Sequence, residues 1–440
     1  MELNRTIAEE SEGSKLLFRA LRHRNFSLFF GGQGVSLIGT WMQMIAMSWL
    51  VYQITGSAFY LGLIGFSSQI CSLFLSPFAG VLSDRWNRHH LLIVTQSLSM
   101  IQAFGLAFLM FTQRIAFSHL LLLSFFLGIV NAFDMPTRQA FIVEMIENRE
   151  DLGNAIALNS FLFNGARLVG PSIAGILISI VGEGGCFLLN GISFLAVILA
   201  LLAMKMPLRE RKVETRGPLL RGLREGFAYG FGFPPIWYIL VFVGWISLAG
   251  TVYSTLMPVF AKTILHGGAH DYGFLMAATG VGAAIAGLFL ASRSSVLGLG
   301  RLIAIASGTF GMGLIGFSFS RTLWFSLPLL VVTGFGMMLH LASSNTILQT
   351  IVDDDKRGRI MSLYAMSFMG MSPVGSLLGG SLASHIGAPF TILLNGIICV
   401  VGGFLFMRKL PSLRELIRPI YIQKGIMHEG PIASPPKQGT

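Results

Sequence analysis

The chain has 440 residues, of which 53% are apolar and only 12% charged, and its mean hydropathy is +0.70. A soluble domain carries roughly 25% charged residues, so a soluble enzyme or regulator is excluded as the main body and a membrane protein is indicated. The net charge of +11 invites a nucleic-acid reading, which the distribution of that charge removes below.

Residues 1–25 read as a charged cytoplasmic tail. The first apolar run, 26–51, is too long for a signal-peptide core and is expected to remain as a helix. About 20 apolar residues cross a bilayer as a helix. Further runs of that kind lie at 58–81, 91–113, 116–136, 154–181 and 185–206. The longest polar break, 207–235, carries Leu219, Leu220, Leu223, Phe227 and Phe231 at helical spacing beside Arg221, Arg224 and Glu225. That pattern predicts an interfacial amphipathic helix, with a plain solvated linker as the alternative. Six more runs follow at 236–260, 272–292, 300–320, 322–345, 359–385 and 389–408. The tail 409–440 is proline-rich and is expected to be disordered. The expected fold is an all-α membrane protein of twelve transmembrane helices. They form two six-helix bundles, 26–206 and 236–408, joined by the cytoplasmic linker 207–235.

The charges fix an orientation. With the N-terminus inside, 27 Lys and Arg fall on the inner side and three, Arg114, Lys262 and Arg321, on the outer. Cations resist translocation, so both termini are expected to be cytoplasmic. The basic balance therefore reports membrane orientation, and nucleic acid drops out as a partner. Cys71, Cys186 and Cys399 sit in or beside apolar runs without a CxxC spacing, so they read as small hydrophobes. No metal site or cofactor motif is visible; Gly280-Val-Gly282 lies inside a predicted span, where it is helix packing.

An offset of 205 residues superposes Gly153 on Gly358, Leu158 on Leu363, Gly165 on Gly370 and Gly170 on Gly375, and continues through Gly175/Gly380, Gly182/Gly387, Asn190/Asn395 and Gly191/Gly396. Two parallel six-helix repeats about an axis normal to the membrane follow, halves that can rock around a central site.

Arg167 is the one charge that the predicted spans place deep in the membrane, on one helical face with Ser160, Asn164 and Pro171. A charge there costs about 2.5–3.5 kcal/mol on insertion scales, so it should face the interior or a wet cavity. It reads as a contact for an anionic or carbonyl-rich substrate, or as a structural cap for carbonyls freed by Pro171. The nearest titratable groups are Asp134 at the inner end of the fourth span, Glu144 beyond it, and His340 in the tenth, where a neutral packed histidine is the competing reading.

Gly80-Val-Leu-Ser-Asp84-Arg85-Trp-Asn-Arg88 resembles the signature loop of the major facilitator superfamily, with Asn87 in place of its second glycine. Asn tolerates a left-handed backbone, so the turn is expected to survive. The resemblance implies that Asp84, Arg85 and Arg88 form a cytoplasmic clasp that holds an outward-facing state closed. Ala166-x3-Gly170-Pro171-Ser-Ile-Ala174-Gly175 is similar to the helix-five element of drug antiporters in that superfamily, a close-packing face with a proline bend. Asp134-Met-Pro136-Thr-Arg138-Gln139 and Asp354-x2-Arg357-Gly358-Arg359 resemble more narrowly the enterobactin-exporter branch.

From this resemblance, helices one, four, seven and ten are expected to line the cavity, offering Gln33, Trp41, Asn131, Trp245, Tyr253, Met338 and His340 beside Asn164, Arg167, Asp134 and Arg138. It implies a monomeric, non-enzymatic secondary transporter of a bacterial inner membrane. Such a transporter exports a siderophore or amphipathic drug-like molecule, with proton antiport as its energy source. A lipid flippase or importer on the same fold is the alternative, and a non-transporting receptor a more distant one.

Overall fold

The computed structural model describes residues 18–205, 219–293, 295–353 and 356–427. Expectations that fall on 1–17, 206–218 and 428–440 lie outside the described residues. The helices are α1 (Arg24–Thr55), α2 (Ala58–Arg85), α3 (Arg88–Phe111), α4 (Phe117–Met145), α5 (152–181), α6 (183–202), α7 (Leu219–Gly232), α8 (Pro234–Gly250, continued by Val252–Val259 and a π turn at Phe260–Ile264), α9 (Ala269–Ala291), α10 (Leu299–Phe319), α11 (Leu323–Ile351), α12 (Arg357–Ile386) and α13 (Ala388–Gln423). α5 and α6 run into one another as Leu152–Leu202, broken at Gly182 (φ 70°, ψ 177°). Eleven helices among the described residues are long and apolar enough to cross a bilayer, and the break at Gly182 turns one of them into two crossings, giving twelve.

The repeat is visible in that break. Gly387, which the 205-residue offset superposes on Gly182, separates α12 from α13 at φ 85° and ψ 152°. Only glycine enters this region without a Cβ penalty, so both halves turn from their fifth to their sixth helix on the same residue.

Two helices run further than their apolar runs. α4 was expected to end near 136 but continues to Met145, because Phe141, Ile142 and Met145 are buried and Arg138 and Glu144 are ion-paired. In place of a disordered tail from 409, α13 continues to Gln423. Leu410, Leu413, Ile417 and Tyr421 recur at helical spacing and are buried, and the Lys424 ammonium donates to the Thr350 carbonyl at 2.7 Å at the end of α11. Tertiary burial overrides both the prolines and the charge of this segment.

The face that carries the α2–α3 turn, the α4–α5 turn and α7 is called here the basic face. The two halves meet along α2 with α12 and α5 with α9. They touch most closely near the opposite face. A Cβ on Gly380 would lie 2.8 Å from the Gly62 Cα, and one on Gly273 would lie 2.9 Å from the Gly175 Cα. Above these pins the Tyr52 hydroxyl is 2.7 Å from the Thr263 hydroxyl, and the Trp49 and Tyr272 rings stack at 6.2 Å. Toward the basic face Phe74, Phe78 and Phe161 of the same helices expose 65%, 63% and 73% of their surface. The seam between the halves is thus tightest near the opposite face, and its continuation toward the basic face is the cleft.

Candidate functional site

α4 builds the first part of the candidate site. Asp134 is 2% exposed and lies eleven residues before the end of α4, about 16 Å along its axis. A buried carboxylate is tolerated only when paired and hydrogen-bonded. Its Oδ1 accepts from the Thr95 hydroxyl at 2.8 Å and from Gln96 Nε2 at 2.7 Å, both on α3. Its Oδ2 pairs with the Arg138 guanidinium one turn on. Two expectations change here. Asp134 is not at the inner end of its helix, and Arg167 is not the one charge deep in a span. The i,i+4 spacing of Asp134 and Arg138 was the legible signal; what hid its depth was reading the polar stretch as the end of the helix. Asn131, one turn earlier, is exposed.

Arg167 sits on α5 at the seam between the halves. Its own carbonyl is 3.6 Å from where a Cβ on Gly280 of α9 would be. The side chain is half-buried, and among the described residues its guanidinium makes no hydrogen bond or ion pair. It does lie within electrostatic reach of the Tyr253 hydroxyl on α8, which contacts Thr279. The capping alternative finds no support in this geometry, because the guanidinium bonds no carbonyl freed by Pro171. Asn164 is exposed on the same face, its amide donating to the Ser160 carbonyl at 2.8 Å. Gln69 is exposed at a similar depth on α2. Polar groups left open at mid-helix line water rather than lipid. The Ser372 hydroxyl donates to Gln69 Oε1 across the seam at 3.2 Å.

Other expected contacts fall elsewhere. His340 is fully buried inside the C-terminal half, its Nδ1 3.4 Å from the Ile303 carbonyl and its ring perpendicular to Phe242 at 4.9 Å. It is a core residue, in keeping with its competing reading, and does not face the cleft. Gln33 is buried at 2%. Trp245 lies in an outer groove, and Trp41 packs on Gly170 and against the Phe163 ring at 6.2 Å.

The helix-five element performs as close packing. Ala166 and Pro171 are buried, Gly170 admits the Trp41 side chain, and Gly175 admits the backbone of Ala269 and Gly273 from the other half. In the signature loop, α2 runs past Gly80 to Arg85. The side chains of Asp84 and Arg85 are outside what the structure describes. Asn87 does not take a left-handed conformation: at φ −69° it caps α3, its Oδ1 accepting from the His90 N–H at 3.2 Å. The Arg88 guanidinium pairs with Glu144 of α4 at 2.8 Å and reaches the Ala140 carbonyl at 3.4 Å. His89 Nε2 is 2.8 Å from the Leu201 carbonyl at the end of α6. Arg88 therefore braces the N-terminal half internally, a partnership that the sequence spacing did not indicate.

Residues 17–423 match the family described as transmembrane secretion effector, within the major facilitator superfamily. The match spans most of the chain, and the chain belongs to that family. Similar curated proteins include the staphyloferrin A transporter of Staphylococcus aureus, 26% identical over 87% of this chain and 96% of that protein. The multidrug efflux pump Tap of Mycolicibacterium fortuitum is 23% identical over 86% and 93%, and macrolide efflux protein A of Streptococcus pyogenes 21% over 85% and 94%. Among solved structures, a bacterial homolog of the human lysosomal transporter Spinster, inward-facing and occupied, superposes with a TM-score of 0.68 at 14% identity, covering 92% of this chain and 98% of that one. The nucleoside transporter NupG gives 0.67 at 14% identity, covering 89% and 99%. At such identities the structures establish the major facilitator fold alone.

Proposed function

We propose that this transmembrane secretion effector exports a small molecule, a siderophore or an amphipathic drug-like compound, by alternating access. The observation that carries the reading is Arg167: a half-buried cation without a protein counter-charge among the described residues, at the seam between the halves. A charge held at that depth is costly unless a ligand or water meets it. A substrate carboxylate, catecholate or carbonyl complements it, with Asn164 and Tyr253 beside it. Relatives named for siderophore transport, multidrug efflux and macrolide efflux support export over import. The basic face is the cytoplasmic one by its excess of cations, so a cleft open there is the loading state.

Energy coupling by proton antiport places the proton on Asp134, the carboxylate that α4 buries in a polar cage with Thr95, Gln96 and Arg138. Protonation releases Arg138 from its ion pair and changes what the cleft presents to a substrate. The deciding experiment is uptake into inverted vesicles under an imposed proton gradient, screened over siderophores, dyes and lysolipids. Gradient-dependent accumulation of a siderophore or dye supports the reading; movement of lysolipid alone overturns it in favour of a flippase.

A further inference from the structure

A groove of about 360 Å³ lies between α7, α8 and α12, outside the cleft. Its walls include Phe227, Phe231, Trp237, Trp245, Leu363 and Met371, and its one hydroxyl is that of Ser367. Leu363, Ser367 and Met371 are four residues apart and share one face of α12. That face differs from the one that meets the N-terminal half, which uses Ser372, Ser376 and Gly380. On α8, Trp245 abuts Gly402 of α13, a helix that packs on α8, α10 and α12. The groove therefore opens on the flank of the C-terminal half, toward the bilayer. Trp245, Phe231 and Met371 expose 52%, 55% and 43% of their surface there.

The foot of the groove is polar in a particular way. Arg359, one turn before Leu363 on the same face of α12, pairs with Glu225 of α7 at 2.9 Å, and both side chains remain accessible, 44% and 42%. α7 is held over this foot by the Tyr229 hydroxyl, which donates to Asp353 at 3.2 Å, and by Lys356, whose ammonium is 4.5 Å from the Tyr229 ring centre. Phe227 and Phe231 stack at 5.8 Å on its groove side. One stripe thus runs from an exposed cation–anion pair into an apolar trough.

We infer that this groove is a binding site for a zwitterionic phospholipid of the leaflet at the basic face. One acyl chain fills the trough, the phosphate meets Arg359 and the ammonium meets Glu225. Charge complementarity selects this occupant: a purely anionic headgroup faces Glu225, and a cationic amphiphile faces Arg359. An apolar trough at membrane depth favours hydrocarbon over water.

The test uses the full chain in nanodiscs, with Trp245 as the sole tryptophan. Bilayers mix ethanolamine and glycerol phospholipids at fixed composition, and one or the other carries brominated acyl chains, which quench indole fluorescence on contact. The proposal expects quenching of Trp245 several-fold stronger when the ethanolamine lipid is brominated. A chain whose sole tryptophan is Trp324, which is 83% exposed on the other side of the bilayer, should show no headgroup preference. Glu225→Gln with Arg359→Gln should erase the preference at Trp245 while overall quenching persists, which shows that the fold survives. Ser367→Phe should lower quenching by filling the trough. Equal quenching by both lipids, or a preference that persists without the charged pair, overturns the proposal. Displacement of brominated lipid by a transported dye overturns it as well, making the groove a substrate portal.

Discussion

Gly62 of α2 and Gly380 of α12 meet backbone to backbone across the two halves, so close that a Cβ on Gly62 would lie 2.4 Å from the Ser376 carbonyl. Gly175 and Gly273 repeat the contact between α5 and α9, and Gly175 superposes on Gly380 by the same 205-residue offset. The pseudo-twofold thus supplies two pins that hold the opposite face shut.

Gly380→Ala should weaken this closure. Overpacking costs about 1–3 kcal/mol, which shifts the two-state balance by about fivefold to a hundredfold toward opening at that face. A cysteine at Tyr52, 8% exposed in the closed seam, in a chain lacking Cys71, Cys186 and Cys399, reads this out: its labelling by an impermeant thiol reagent should rise. Unchanged labelling would show that the seam yields elsewhere.

Arg167→Ala should insert and fold normally yet lose transport by at least tenfold, with Arg167→Lys recovering part of it. Full transport by the alanine variant in vesicles reduces Arg167 to a packing residue.

Asp134→Asn leaves the half-buried Arg138 beside a neutral amide, a loss below the about 3–5 kcal/mol of a fully buried broken pair. Expression and melting temperature should fall, and Asp134→Asn with Arg138→Gln should restore both. If Asp134 carries the proton, the double variant still exchanges substrate between the two sides but no longer concentrates it against a proton gradient. Retained gradient-driven accumulation would place coupling elsewhere.

Asp84→Asn should loosen closure of the basic face in the other conformational state, raising the accessibility of that face to thiol reagents. Unchanged accessibility on both faces defeats the clasp.

Reporter fusions after Arg114, Lys262 and Arg321 should report the outside, and fusions near either terminus the inside. Cytoplasmic signals at those three loops would break the topology.

The apolar runs and the repeat carried the crossings and the division into halves, because a bilayer imposes length and composition on every span regardless of its neighbours. They also carried the glycine pattern, since Gly182 and Gly387 are needed by local backbone geometry. Arg167 stood out because a charge in an apolar run is costly to insert. What the tertiary structure decided is whatever depends on a partner helix. The depth of Asp134 became apparent only once Thr95 and Gln96 of α3 were seen to satisfy it. The helical course of 409–423 required the C-terminal half to bury Leu413 and Ile417. His340 went to the core and Trp245 to the flank because helix rotation is fixed by packing between helices, which no single run encodes.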